Sequence, residues 1–207
     1  METKNIPGVT ITNNELQLLA TSSNIEPAAL KAVQIVETGG QSGFVSKQHP
    51  TILFEGHIFR RLLINHGIGY RHLARLEKND PDLVYPKWDK TKYCGGLKEY
   101  VRLYHAIVIS RVDALLSTSW GMFQILGLNH AQCGEPNIFE FVKQMTYSEY
   151  HQMILAINYL RSNNLISLLN DHQWASFAKR YNGPGYEANH YDTRLKEAYE
   201  KSKYIFR

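Results

Sequence analysis

Apolar residues recur along most of the chain at the three- and four-residue spacing of helices buried on one side. Thr12-Asn13-Asn14-Glu15 reads as a capping box ahead of Leu16, Leu19 and Ala20, and predicts a short first helix. Pro27 suits the first turn of a second helix, in which Leu30, Val33 and Glu37 share a face and which Gly39-Gly40 stops. A helix over 58–65 should end at Gly67, and Tyr100, Tyr104, Ile107, Val108, Val112 and Leu115 predict one long, central helix over 97–116. Further helices are expected over 138–145, 149–162, 174–181 and 189–203, with Asp171 as a cap near the third of these.

Two stretches break the pattern. Phe44-Val45 and Thr51-Ile52-Leu53-Phe54 are β-prone runs separated by polar Ser46 to His49 and Pro50, which predicts a small hairpin. Residues 70–96, with Pro81, Pro86 and Gly95-Gly96, read as an irregular surface excursion. No internal repeat, low-complexity tract or linker interrupts the chain, so one domain of mainly α structure is expected.

Composition narrows the class. At 207 residues, 43% hydrophobic and 20% charged, the chain has the balance of an ordinary globular protein with a sizeable core. The N-terminal Met-Glu-Thr-Lys-Asn-Ile-Pro lacks the apolar run of a signal peptide, and no segment approaches the roughly 18 apolar residues of a membrane span. The expectation is a cytosolic product without stable membrane insertion. The net charge of +4 favours polyanions without choosing among them. Basic residues are scattered, with no block longer than Arg60-Arg61, so a nucleic-acid partner is not expected. Cys94 and Cys133 sit in unrelated segments, and two free thiols are the plainer reading. The histidines form no His-Glu-x-x-His arrangement, which argues against a zinc peptidase or amidase, and no Gly-x-Ser-x-Gly elbow is present. No metal or cofactor is expected.

Candidate chemistry centres on Glu37, a carboxylate on the face that carries Leu30 and Val33, directly before a glycine break. Partial desolvation there would raise its pKa and keep a proton available near neutral pH. From placement alone, an ordinary exposed last-turn glutamate is the plainer reading. Glu55, at the end of the predicted hairpin, is a second carboxylate that a tight turn could return toward Glu37. Two carboxyls across a cleft are the equipment of glycoside hydrolysis, at about 5 Å for a nucleophile or roughly 6.5 to 9.5 Å for an activated water. A structural acid paired with His57 or Arg60 is an equally good account of Glu55.

Three motifs, the first of them in three pieces, carry a family resemblance. Val36-Glu37-Thr38-Gly39-Gly40, Gly43-Phe44 and Pro50-Thr51-Ile52-Leu53-Phe54-Glu55-Gly56-His57-Ile58-Phe59 together resemble the N-acetylmuramidase domain of phage endolysins from Gram-negative hosts. Ser119-Trp120-Gly121-Met122-Phe123-Gln124-Ile125 resembles the Gly-Leu-Met-Gln segment of goose-type lysozymes and lytic transglycosylases, and Arg180-Tyr181-Asn182-Gly183-Pro184-Gly185 their Tyr-Asn-x-Gly segment. The order of the motifs matches as well.

The resemblance implies a lysozyme-like, mainly helical fold of two lobes with a small β-hairpin beside the active-site cleft. With the first helix beginning near residue 12, a single catalytic domain over 1–207 without a separate wall-binding domain is expected. Glu37 takes the catalytic-acid position, which overrides the plainer reading, and Glu55 is the candidate partner. Ser119, Gln124, Tyr181 and Asn182 would bind saccharide. Phe123 stands where the relatives carry Met, and Trp120 and Phe123 read more readily as core than as sugar-stacking groups; for Trp88 sugar stacking and surface packing are equally good accounts.

The implied activity is hydrolysis of the β-1,4 bond between N-acetylmuramic acid and N-acetylglucosamine, by a monomer acting on peptidoglycan glycan strands. The enzyme would wait in the host cytoplasm and act in the periplasm once the inner membrane is permeabilised. Alternatives are a lytic transglycosylase giving 1,6-anhydro products, a catalytically silent peptidoglycan-binding module, and the same fold used as a secreted effector or bacteriocin cargo.

Overall fold

A computed structural model describes residues 10–206. The N-terminal stretch in which no signal peptide is read lies outside the described residues. The first described element is α1 (Asn13–Ser22), where the Thr12 side chain accepts from the Glu15 amide while the Glu15 carboxylate accepts from the Thr12 amide. That is the capping box the sequence predicts. α2 (Pro27–Thr38) buries Ala29, Leu30, Ala32 and Val33 completely and stops at Gly39, whose left-handed φ of 57° suits glycine.

The β structure departs from the predicted hairpin. β1 (Phe44–Ser46) pairs antiparallel with β2 (His49–Pro50), so the hairpin closes before residue 51. β3 (Ile52–Phe54) belongs to a different sheet, because its buried Ile52 and Phe54 need a partner surface that a short exposed ribbon cannot supply. That partner comes from far along the chain.

α3 (Gly56–Asn65) follows directly, with Glu55 at its N-cap position and no side-chain cap. The predicted irregular excursion is corrected in its first half: α4 (Tyr70–Asn79) is a regular helix that buries only Leu73 and Leu76, too narrow a stripe to announce itself among polar neighbours. The predicted single helix over 97–116 is also corrected. α5 (Leu97–Ile109) and α6 (Arg111–Leu116) are separated by Ser110, which is extended (φ −155°, ψ 107°) and donates its hydroxyl to Asp113 at 2.8 Å. The Ser110 amide still bonds the Ala106 carbonyl and its own carbonyl accepts from the Ala114 amide, so one extended residue separates the helices while its backbone groups stay satisfied.

β4 (Thr118–Trp120) lies between β3 and β5 (Ile125–Leu126), with Ile52 opposite Trp120 and Phe54 opposite Thr118. All three β4 residues are buried, as befits a central strand. A 3₁₀ stretch over Gly127–Cys133 leads to α7 (Ile138–Tyr147) and α8 (Glu149–Ser162). A short α9 (Ile166–Asn170) was not anticipated, and Asp171 ends it rather than capping α10 (Trp174–Asn182), whose start has no side-chain cap. α11 (Tyr191–Ser202) lays Tyr191, Leu195, Ala198 and Tyr199 along α2, where the alanines allow close approach. One continuous core joins these elements. Among the described residues, no helix is long and apolar enough to cross a membrane. Cys94 is exposed and Cys133 buried, both as free thiols.

Candidate active site

Glu37 sits in the last turn of α2, directly before the Gly39 break, and lines a cleft. Phe123, Ile125 and Leu126 supply apolar lining, and Gln124, Asn129, Tyr181 and Asn182 supply polar groups. Tyr159 and Tyr181 meet edge to face there, at 6.2 Å between ring centres. A more voluminous hollow on the outer side of α11, around Lys196 and Glu200, holds no comparable convergence of groups.

Burial pushes the Glu37 carboxyl up to about 7, against two opposing influences: a hydrogen bond donated by the Tyr191 hydroxyl and the nearby Arg194 guanidinium. The carbonyl end of α2 adds to the cost of a negative charge. Tyr191 is itself buried and its phenol is pushed far above its ordinary value, so it remains a donor at every physiological pH. Its ring stacks on Tyr181 at 6.1 Å, and Tyr181 stacks on Phe177 at 5.4 Å. Arg194 donates to the Val36 carbonyl at 3.0 Å and so satisfies one of the open carbonyls at the end of α2.

The turn carrying Gln124 is tightly built. Gln124 has a positive φ of 45°, and its side-chain nitrogen donates to the Gly121 carbonyl at 2.8 Å and the Thr51 carbonyl at 3.3 Å. With the nitrogen so engaged, the amide oxygen is the group left to accept from a ligand.

Two buried side chains of α8 hold the walls in place. Gln152 accepts from the Met122 amide at 2.8 Å and donates to the Met145 carbonyl at 2.9 Å, and it packs so closely on Gly43 and Gly121 that a β-carbon at either would collide with it. Glu149 accepts from the Ser42 hydroxyl at 2.7 Å and the amides of Gly43 and Ile11 at 2.8 and 3.0 Å. Together they tie the loop after Glu37 to the turn before Gln124.

Of the residues singled out from the sequence, the fold gathers Glu37, Gln124, Tyr181 and Asn182 around one cleft. Ser119 is buried at the centre of β4, opposite Leu53 and Leu126, and does not line it. Glu55 lies elsewhere. It accepts from the Tyr93 hydroxyl at 2.5 Å and faces His57 Nδ1 at 3.5 Å, while the opposite end of the same extended segment, at Thr51, is what Gln124 touches. Four extended residues span about 13 Å. Trp120 is core, donating to the Leu115 carbonyl, whereas Phe123 is both buried and part of the cleft lining. Trp88 is exposed and meets Tyr93 edge to face.

The sequence reading missed Tyr191, Arg194, Asn129, Glu149 and Gln152. Glu149 and Gln152 left one trace, polar residues one turn apart on the inner side of a predicted helix. The described residues include no group of three or more His, Cys, Asp or Glu able to hold a metal.

No curated protein matches the chain. The crystal structure of an endolysin from Burkholderia phage AP3 superposes with a TM-score of 0.84 at 35% identity, covering 97% of this chain and 74% of that one. The sequence profile of the N-acetylmuramidases matches residues 26–203, which contain the whole of the cleft. The chain belongs to the N-acetylmuramidase family, and it is a glycoside hydrolase of that type.

Proposed function

We propose that this protein is a phage endolysin that cleaves the β-1,4 bond between N-acetylmuramic acid and N-acetylglucosamine, with Glu37 as the general acid. The observation that carries the reading is the Glu37 carboxyl: partly buried, pushed up to about 7, and set on a cleft whose polar groups are amides and phenols. A carboxylic acid still protonated near neutral pH can give its proton to the glycosidic oxygen as the bond from that oxygen to C1 breaks. The resulting sugar cation is then taken by water. Gln124, Asn129 and Asn182 hydrogen-bond sugar hydroxyl and acetamido groups without competing for the proton.

Glu37 is the only carboxylate among the described residues lining the cleft. This favours a single-carboxylate route over one in which Glu55 serves as nucleophile or base. The enzyme acts as a monomer on glycan strands, reaching them from the host cytoplasm after another protein permeabilises the inner membrane. The net charge of +4 assists approach to the anionic wall. The test is Glu37→Gln on purified sacculi: release of reducing ends should fall by ~10² to 10⁴ while the fold is kept. Near-normal release would overturn the assignment.

A further inference from the structure

Beside the cleft lies a second hollow that shares Asn182 with it and is otherwise lined by Gly185, Tyr186, Asn189, Tyr191 and Arg194. Tyr191 joins the two, since its hydroxyl reaches Glu37 while the residue borders the second hollow. No described residue lining the cleft is cationic, and Arg194 is the one cation of the pair of hollows.

Arg194 is anchored and yet available. One terminal nitrogen donates to the Val36 carbonyl, which fixes the guanidinium at the end of α2. The side chain is exposed, and it forms no ion pair with any carboxylate among the described residues. The carboxylate it acts on electrostatically is Glu37, which the Tyr191 hydroxyl already engages, while Glu187 and Asp192 act on the Tyr186 phenol. Its remaining N–H donors form a planar fork suited to a carboxylate, and Asn182, Asn189 and Tyr186 add neutral hydrogen-bonding groups around it.

Neutral sugars offer such a fork only uncharged acceptors, whereas a carboxylate gives it a charge-assisted, bidentate partner. On a glycan of alternating N-acetylglucosamine and N-acetylmuramic acid, negative charge is carried by the 3-O-lactyl arm of the muramic residue. The arm ends in a free carboxylate or continues into a peptide with carboxylates of its own. We propose that the Arg194 hollow is an anion subsite that takes a carboxylate borne on the lactyl arm of the muramic residue, so that substrate charge helps decide which glycan is cut. The proposal rests on the muramidase reading.

The experiment compares wild type, Arg194→Gln and Arg194→Lys on sacculi before and after carbodiimide conversion of their carboxyls to neutral methylamides. On untreated sacculi, R194Q should lose roughly tenfold or more in kcat/KM, as expected for a lost charge-assisted contact. On neutralised sacculi, wild type should fall by a similar factor and R194Q should match it within about twofold, because effects that share one contact do not add. R194K, which keeps the charge, should retain most of the preference for untreated sacculi, and thermal melts check that both variants fold. An equal deficit of R194Q on both substrates overturns the subsite, since action through Val36 and Glu37 alone is blind to substrate charge. Glycan stripped by an amidase, which leaves the free lactyl carboxylate, separates the two sources: a persisting R194Q deficit assigns the lactyl carboxylate, and its disappearance there assigns the stem peptide. Failure of wild type on untreated sacculi would instead sink the muramidase reading.

Discussion

The Tyr191 hydroxyl donates a hydrogen bond to Oε1 of Glu37 across 154 residues of sequence. The bond favours the carboxylate, whereas burial favours the acid, and the balance leaves Glu37 at about 7. Tyr191 thus positions the carboxyl and trims its proton affinity.

Glu37 must be protonated to act as acid, so kcat/KM should hold below about 7 and decline above it. A pH–rate series on solubilised glycan strands measures this limb. A profile flat from pH 5 to 9 would contradict the assignment.

Tyr191→Phe removes the larger of the two influences that lower the Glu37 value and leaves Arg194 in place, so the descending limb should move to higher pH. The carboxyl also loses an orienting contact, and kcat should fall by roughly tenfold. A purely structural tyrosine would change stability and leave the limb in place.

Glu37→Gln should stabilise the protein in alkaline solution. The folded protein holds the Glu37 proton more tightly than the unfolded chain, whose value is near 4.5, so stability is lost as the pH rises from about 4.5 to about 7 and the full cost of the charged form is present above that. Denaturant titrations should show E37Q gaining about 1 to 3 kcal/mol over wild type at pH 8.5 and differing by under ~0.5 kcal/mol at pH 4. The opposite ordering at pH 8.5 would show that the carboxylate is well accommodated.

Glu55→Gln should keep lysis within roughly threefold of wild type while losing about 1 kcal/mol through the weakened Tyr93 contact. A turnover loss of ~10² or more would return Glu55 to the chemistry.

Mass spectrometry of the released muropeptides should find reducing-end muramic acid, heavier by one water than a 1,6-anhydro product. Anhydro products in the majority would identify a transglycosylase.

Local order was well read from the sequence. The Thr12 capping box, Pro27 at a helix start and Gly39 at its end are decided by a few neighbouring residues, and all three stand as read. Misreadings arose where partners are distant or signals thin. β3 pairs with β4, more than 60 residues on, so proximity wrongly suggested pairing with residues 44–45. α4 shows only two buried leucines, and Ser110 breaks a helix whose apolar spacing continues through it.

The family resemblance grouped Glu37, Gln124, Tyr181 and Asn182 from motifs that are each short enough to read, and the fold brings the four around one cleft. What the sequence by itself determined is therefore the family, the helical frame and the position of Glu37 within it. Tertiary structure alone decided that Glu55 belongs to another cluster, that Glu149 and Gln152 clamp the walls, and that Tyr191 and Arg194 meet the end of α2. The reason is physical: a pKa, a hydrogen bond and a pocket depend on groups adjacent in space, and α11 reaches α2 only when the whole chain has folded.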